Sequence, residues 1–217
     1  PLSAHELRMD DDVYKNRQDP SVTITFPLVG AKAESLGLTG VRALAWTTTP
    51  WTLPTNLALA VGPDINYVVV PGGLAGAADV PDGDDSESAT AHEYLLAADL
   101  LGGYAKDLGY ESVDDARAAI SRTVQGSELN GVHYDRLFDY YADAEVWGTE
   151  RAWQILTDAY VTTSDGTGIV HQAPAYGEDD QRVTEAAGIP LIMSLDDGGK
   201  FLPQVSDVAG ELWMDAN

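Results

Sequence analysis

Apolar and polar positions alternate over Val22–Leu28 (VTITFPL), and β-branched residues dominate the run, which predicts a strand. Pro27 has no N–H to give a ladder, so an edge position or a strand end is expected there. Gly30 to Gly40 reads as a connection. Further strands are expected over Val41–Thr48, over Leu57–Val61 before the turn Gly62-Pro63-Asp64, over the continuous apolar run Tyr67–Val70, and over Tyr94–Ala97. Leu96, Leu100, Leu101, Tyr104 and Leu108 then fall at helical spacing, with Gly109 as a stop and Gly102-Gly103 as a weakness. Val113–Ile120 forms a second helical segment, with Ser112 as its N-cap. Thr123–Tyr134 (TVQGSELNGVHY) reads as strand, turn, strand. Trp153, Ile155, Thr157, Ala159 and Val161 share one face of a strand running to Thr162. Ser164-Asp165-Gly166 is a hairpin turn, and Gly168–Gln172 is the returning strand. A helix begins after Gly177, with Glu178, Asp179 and Asp180 in its first turn, and Gly188 and Pro190 end it. Residues 189–217 supply Pro190-Leu191-Ile192, a turn at Gly198-Gly199 and a last extended piece.

Composition narrows the class. The 217 residues suffice for a sizeable core, and 44% of them are hydrophobic. No apolar run is long enough to span a bilayer, and PLSAHELRMDDD lacks the apolar centre of a signal peptide. Cysteine is absent, which removes disulfide and thiol chemistry and fits a cytoplasmic protein. Thirty-five acids against 12 bases give a net charge of −23. Such a field repels a polyanion, so tight autonomous binding of nucleic acid is not expected. Receipt of one flexible RNA end delivered by other domains remains compatible with it. Gly72–Glu93 holds six acids and no Lys or Arg, but DGDDSES does not reproduce the spacing of a calcium-binding hand. A solvated hairpin tip is the better reading.

Candidate chemistry concentrates in two stretches. Trp46–Asn56 reads WTTTPWTLPTN, where Pro50 and Pro54 forbid the strand from continuing inside a sheet. Three threonines therefore arrive where backbone N–H groups and hydroxyls lose their ladder partners. Trp51 adds a flat apolar face, and Asn56 adds a donor and an acceptor. Taken alone, this reads better as a Pro-fixed turn after a Thr-rich strand than as a binding site. The second stretch is Gly166–Asp180, GTGIVHQAPAYGEDD. At 100° per residue, Asp180 lies on the face of Val183, Thr184 and Ala187, while Glu178, Gln181, Arg182 and Glu185 point away. An inward acid needs a partner, and either a hydrogen-bond network or a ligand would serve. His171 ends its strand and reads either as a satisfied structural histidine or as a pocket residue. The aromatic run Leu137, Phe138, Tyr140 and Tyr141 suits a core better than a base-stacking surface. No Ser-His-Asp set and no His-Glu-x-x-His pattern is present, so no metal or cofactor is expected. Asp179 and Asp180 point about 100° apart and make a poor catalytic dyad.

The two stretches, TTTPWTLP and GTGIVHQAP in this order, resemble the editing domain inserted in class I aminoacyl-tRNA synthetases, in its isoleucine form. The valine and leucine relatives usually carry Arg-Pro where this chain has Thr49-Pro50. The resemblance spans most of the chain. It implies an α+β fold with a barrel-like, mostly antiparallel β core and short helices outside. It implies a connecting stalk over residues 1–20 and a single editing domain over 21–217, with an acidic loop near 72–93 and a C-terminal return segment. The implied activity is hydrolysis of Val-tRNA(Ile), and of valyl-adenylate as a further substrate. The implied partners are the valine-bearing 3′ end of tRNA(Ile) and the catalytic body of a parent synthetase; the apolar pattern points to no membrane partner, and a monomer is the default expectation. By resemblance, Asp180 anchors the substrate ammonium group. Thr47, Thr48 and Thr49 face the terminal adenosine and the reacting carbonyl. Trp51 and Asn56 shape the adenosine side, and His171 borders the amino-acid side chain. The chain lacks the His-Ile-Gly-His and Lys-Met-Ser-Lys-Ser signatures of the catalytic body, so it is not expected to charge tRNA. A module that binds aminoacyl-adenosine without hydrolysing it is the alternative.

Overall fold

A computed structural model describes residues 21–74 and 92–215. The expected stalk over residues 1–20 and most of the acidic loop lie outside the described residues. The chain runs through β1 (Val22–Val29), α1 (Gly30–Ser35), β2 (Arg42–Thr47), a 3-10 turn (Pro50–Thr55), β3 (Ala58–Val61), β4 (Asn66–Gly72) and β5 (His92–Ala97). It continues through α2 (Leu101–Tyr104), α3 (Val113–Ala118), β6 (Arg122–Gln125), α4 (Gly126–Leu129), β7 (His133–Tyr134), α5 (Ala144–Trp147), β8 (Gln154–Thr157), β9 (Ile169–Gln172) and α6 (Glu178–Ala186).

Among the described residues the strands form one mixed sheet in the order β6-β4-β5-β2-β1-β7-β8-β3-β9. Two pairs are parallel, β2 with β5 and β3 with β8, and the others are antiparallel. The α+β class therefore holds, but the barrel does not close, because β6 and β9 end the sheet without pairing to each other. Instead the two halves fold toward one another and β9 lies against β2. Phe26, Leu28, Leu59, Tyr67, Val69 and Leu95 fill the space between them, all 1% exposed or less. Burial of such side chains is worth roughly 1.5–3 kcal/mol each. A second cluster, including Leu57, Tyr141, Val183, Ile189 and Phe201, fixes α6 and the C-terminal segment to the far side of β3.

Several local expectations give way to this arrangement. Pro27 is neither at an edge nor at a strand end. β1 pairs with β2 up to Pro27 and with β7 from Leu28, so the missing N–H falls where one partner hands over to the next. The hairpin expected around Ser164-Asp165-Gly166 does not form. β3 stands between β8 and β9, parallel to one and antiparallel to the other. All four residues of β3 are fully buried, so its backbone needs a partner on each edge. The strand from Trp153 stops at Thr157, where the Asp158 carboxylate turns the chain by accepting the Tyr160 N–H. Leu96 belongs to β5, which shortens the helix after it to Leu101–Tyr104. Gly30–Ser35 is helical, and the turn within TVQGSELNGVHY is the helical turn α4, closed by a Gln125–Glu128 capping box. The Ser112 cap forms as the spacing predicts, accepting the Asp115 N–H.

Gly126 is the tightest backbone approach. A Cβ there would lie 1.9 Å from the Gly62 carbonyl oxygen. Gly126→Ala is expected to lower stability by about 1–3 kcal/mol. An unchanged urea midpoint would show that the two segments separate freely.

Candidate functional site

The strand β2 ends because its last residue captures the chain that follows. Thr47 Oγ1 accepts the Thr49 N–H at 3.0 Å, and Thr49 Oγ1 lies 3.2 Å from it. Pro50 then opens the 3-10 turn, where the Thr52 N–H and hydroxyl both reach the Thr49 carbonyl, at 3.0 and 2.9 Å. The threonine segment is thus curled by its own side chains. Thr48 makes no side-chain hydrogen bond among the described residues. Thr47, Thr48 and Thr49 form one wall of a cavity of about 380 Å³.

β9 and α6 form the facing wall. β9 delivers His171, and α6 delivers Asp180 from its first turn, facing inward as its helical position predicts. Asp180 Oδ2 accepts the Ala173 N–H at 2.8 Å, which ties the helix start to the strand end. Gly177 makes room for this fold-back, since a Cβ there would stand 3.0 Å from Asp180 Cγ. Burial pushes the Asp180 carboxyl above the ordinary carboxylate range, the Ala173 N–H draws it partly back, and Asp179 adds to the rise. The neighbouring Asp179 belongs to a different environment. Arg182 binds it at 3.0 Å and binds Asp158 through both nitrogens, on the outer face of α6. Asp180 is left without a cationic partner among the described residues.

Both ring nitrogens of His171 are occupied. Nε2 lies 2.9 Å from Thr52 Oγ1, and Nδ1 lies 2.7 Å from the Asn56 amide nitrogen. Burial depresses its pKa to about 4, so the ring is neutral at pH 7.

The segment between β8 and β9 closes the cavity with Tyr160, Thr162, Gly166 and Gly168. Its floor is clamped from the other half of the sheet. The Ala97 N–H donates to the Thr167 carbonyl at 2.9 Å, and the buried Tyr67 hydroxyl donates to the Gly168 carbonyl at 2.7 Å. Gly168 has φ +75, and a Cβ there would meet Ala97 at 2.5 Å, so the position requires glycine.

Of the residues singled out from the sequence, Thr47, Thr48, Thr49, His171 and Asp180 meet in this cavity, and Trp51 and Asn56 do not line it. Trp51 packs edge-on against Tyr176 and tilted against Trp213, with centroids 4.8 and 4.9 Å away. It supports a cavity residue from behind. Asn56 is 5% exposed and lies behind His171. Sequence reasoning passed over Trp46, Thr52, Tyr160 and Tyr176. Trp46 and Thr52 flank the threonine run and were within reach. Tyr160 lies beyond the end of the strand expected to contain it. Among the described residues no cluster of His, Asp and Glu could hold a metal, and no helix is long and apolar enough to cross a membrane.

No protein-family model matches the chain. Individual relatives do. It is 74% identical over 210 residues, 97% of its length, to the isoleucine–tRNA ligase of Leifsonia xyli subsp. xyli. Across its whole length it is 51% identical to that of Tropheryma whipplei. The chain belongs to the isoleucine–tRNA ligase family. It spans 19% of the length of either relative. Among solved structures, the P. knowlesi cytosolic leucyl-tRNA synthetase editing domain matches 77% of this chain and 62% of its own, with TM-score 0.54 and 16% identity. The GlLeuRS-CP1 structure matches 90% of this chain and 91% of its own, with TM-score 0.56 and 12% identity. At these identities the likeness is one of fold. The isoleucine–tRNA ligase segment therefore has the fold of a leucyl-tRNA synthetase editing domain, and its two threonine- and histidine-bearing motifs meet in one cavity.

Proposed function

We propose that this chain is the proofreading domain of an isoleucine–tRNA ligase, and that its cavity hydrolyses Val-tRNA(Ile), with valyl-adenylate as a second substrate. The observation that carries this reading is Asp180, a largely buried carboxylate with no cationic partner among the described residues, facing the threonine wall. A carboxylate so placed suits an ammonium group, which would supply the missing charge. The α-amino group of an aminoacyl ester is such a group. With it held at Asp180, the ester carbonyl points toward Thr47–Thr49, where hydroxyls and N–H groups can meet the developing oxyanion. Water adds to the carbonyl carbon, the bond to the ribose oxygen breaks, and the released ribose hydroxyl carries a proton that came from that water. Free valine and tRNA(Ile) result. With valyl-adenylate the bond to the phosphate oxygen breaks instead.

His171 has no free ring nitrogen for the water's proton. Its place is at the side chain of the substrate, where a fixed neutral ring limits the room available. Positioning supplies the rate. The remainder of the parent ligase brings the RNA, since a chain of net charge −23 attracts a polyanion poorly. The working state is a monomer within that parent. The engagement of both His171 ring nitrogens favours a second reading, a module that binds aminoacyl-adenosine without turnover.

Hydrolysis of Val-tRNA(Ile) and Ile-tRNA(Ile) by the full-length ligase separates the two. The valine ester is expected to react faster by roughly 10- to 200-fold, the range open to one methylene. His171→Ala should narrow that gap chiefly by raising the isoleucine rate. Stable binding of a substrate analogue with no hydrolysis of either ester would establish the second reading.

A further inference from the structure

We propose that Tyr134 and Asn56 are positioning residues for side-chain discrimination. Lying outside the cavity, they lock His171 into its Nε2–H tautomer and hold its ring in place. The functional half of this inference rests on the proofreading reading above; the hydrogen-bond half stands on geometry alone.

The direction of every bond is fixed by groups that have no choice. A backbone carbonyl can only accept. The Asn56 side-chain atom 3.1 Å from the Ala58 carbonyl must therefore be the amide nitrogen. The second proton on that nitrogen points at His171 Nδ1, 2.7 Å away, so Nδ1 presents a lone pair. The single proton of the neutral ring is then on Nε2, and it is donated to Thr52 Oγ1 at 2.9 Å. The Thr52 hydroxyl passes its own proton to the Thr49 carbonyl at 2.9 Å, again an obligate acceptor. At the far end the Tyr134 hydroxyl donates to Asn56 Oδ1 at 2.7 Å and completes the amide's pairing.

The result is one directed relay from β7 to the threonine wall: Tyr134, Asn56, His171, Thr52, Thr49. Its four buried members, Tyr134 through Thr52, are each 7% exposed or less. The backbone of Asn56 is held as well, since Trp153 Nε1 donates to its carbonyl at 3.1 Å. Trp153 takes a positive φ of 56 there, a conformation uncommon for a bulky residue. A ring tethered at both nitrogens cannot swing away from a larger substrate side chain. A tyrosine in a strand behind the cavity thereby contributes to what the cavity excludes.

The test reads the ring directly. In the 217-residue chain labelled with ring-15N histidine, the His171 signals, identified by their loss in His171→Gln, should show Nδ1 unprotonated and Nε2 protonated. Asn56→Asp places an acceptor opposite Nδ1, and should move a proton onto that nitrogen. A protonated Nδ1 in the unmodified chain, or an unchanged ring in Asn56→Asp, overturns the relay. Tyr134→Phe conserves volume and decides the matter should Asn56→Asp fail to fold. In the full-length ligase it is expected to raise hydrolysis of Ile-tRNA(Ile) relative to Val-tRNA(Ile) by about tenfold, the effect of leaving one buried acceptor unpaired. An equal change in both rates would mean that Tyr134 only supports the fold, and would overturn its role in discrimination. A full-length ligase that hydrolyses neither ester would remove the proofreading reading, while the ring signals would still decide the relay.

Discussion

Asp180→Asn is expected to slow hydrolysis of Val-tRNA(Ile) by roughly one to two orders of magnitude and to make the protein more stable. The two effects share a cause. Asp180 is a carboxylate in a largely buried setting, and burial is the main reason its pKa is raised. Arg182, the nearest cation on its helix, is engaged with Asp158 and Asp179 on the other face. A group whose folded pKa exceeds its unfolded value favours the fold only while it is protonated. The ionised carboxylate is therefore the form that burial opposes, and its charge works against folding. Asparagine removes the charge and keeps an oxygen to accept the Ala173 N–H, which Asp180 now receives at 2.8 Å. What asparagine cannot do is hold an ammonium group by a charge-assisted hydrogen bond, worth roughly 1.5–3 kcal/mol. Urea unfolding at pH 7 and single-turnover hydrolysis by the full-length ligase measure the two sides. A variant that hydrolyses at the original rate would remove Asp180 from substrate binding. A lower urea midpoint would mean that the carboxylate is there for the fold.

This opposition explains why Asp180 could be singled out from the sequence. An amphipathic helix reports which residues face inward, and the first turn of α6 contains three acids of which one lies on the apolar side. The threonine segment was legible for a similar reason: two prolines mark where a strand must stop, and the residues before them must turn. His171 was legible as a strand-end residue, and the resemblance of its motif placed it in the cavity.

What escaped the sequence depends on residues far apart in the chain. The floor of the cavity is held by Ala97 and Tyr67, which donate to Thr167 and Gly168 from the opposite half of the sheet. No local pattern carries that information. The hairpin expected between β8 and β9 failed because β3 has two edges to satisfy, and a turn signal at Ser164-Asp165-Gly166 says only that the chain bends. Asn56 and Trp51 belong to the right motif but act one layer back, against His171 and Tyr176. A motif tells which residues gather around a site. It does not tell which of them face the ligand and which hold the ones that do.

The stability that His171 contributes should disappear in acid, by an amount large enough to read from unfolding. In the folded protein burial depresses its pKa from 6.5 to about 4. For a base with a lowered pKa the unfolded chain binds the proton first, so stability falls as pH drops from about 6.5 to about 4. Above that window the contribution is complete, and below it the contribution is gone. A shift of this size corresponds to about 3 kcal/mol, a large fraction of the stability of an ordinary domain. The hydrogen bonds give the structural reason. A second proton would have to enter at Nδ1, where the Asn56 amide already points an N–H from 2.7 Å. Acid also neutralises carboxylates in a chain of net charge −23, which relieves repulsion and acts in the opposite direction. The comparison must therefore be with His171→Gln, whose amide can accept from Asn56 and donate to Thr52 without titrating. The stability of the histidine protein relative to this variant should decline by about 3 kcal/mol between pH 7 and pH 4, read from urea unfolding at each pH. A difference that stays constant across that range would show that the ring takes up its proton as readily in the fold as outside it, and the neutral, doubly tethered histidine would have to be abandoned.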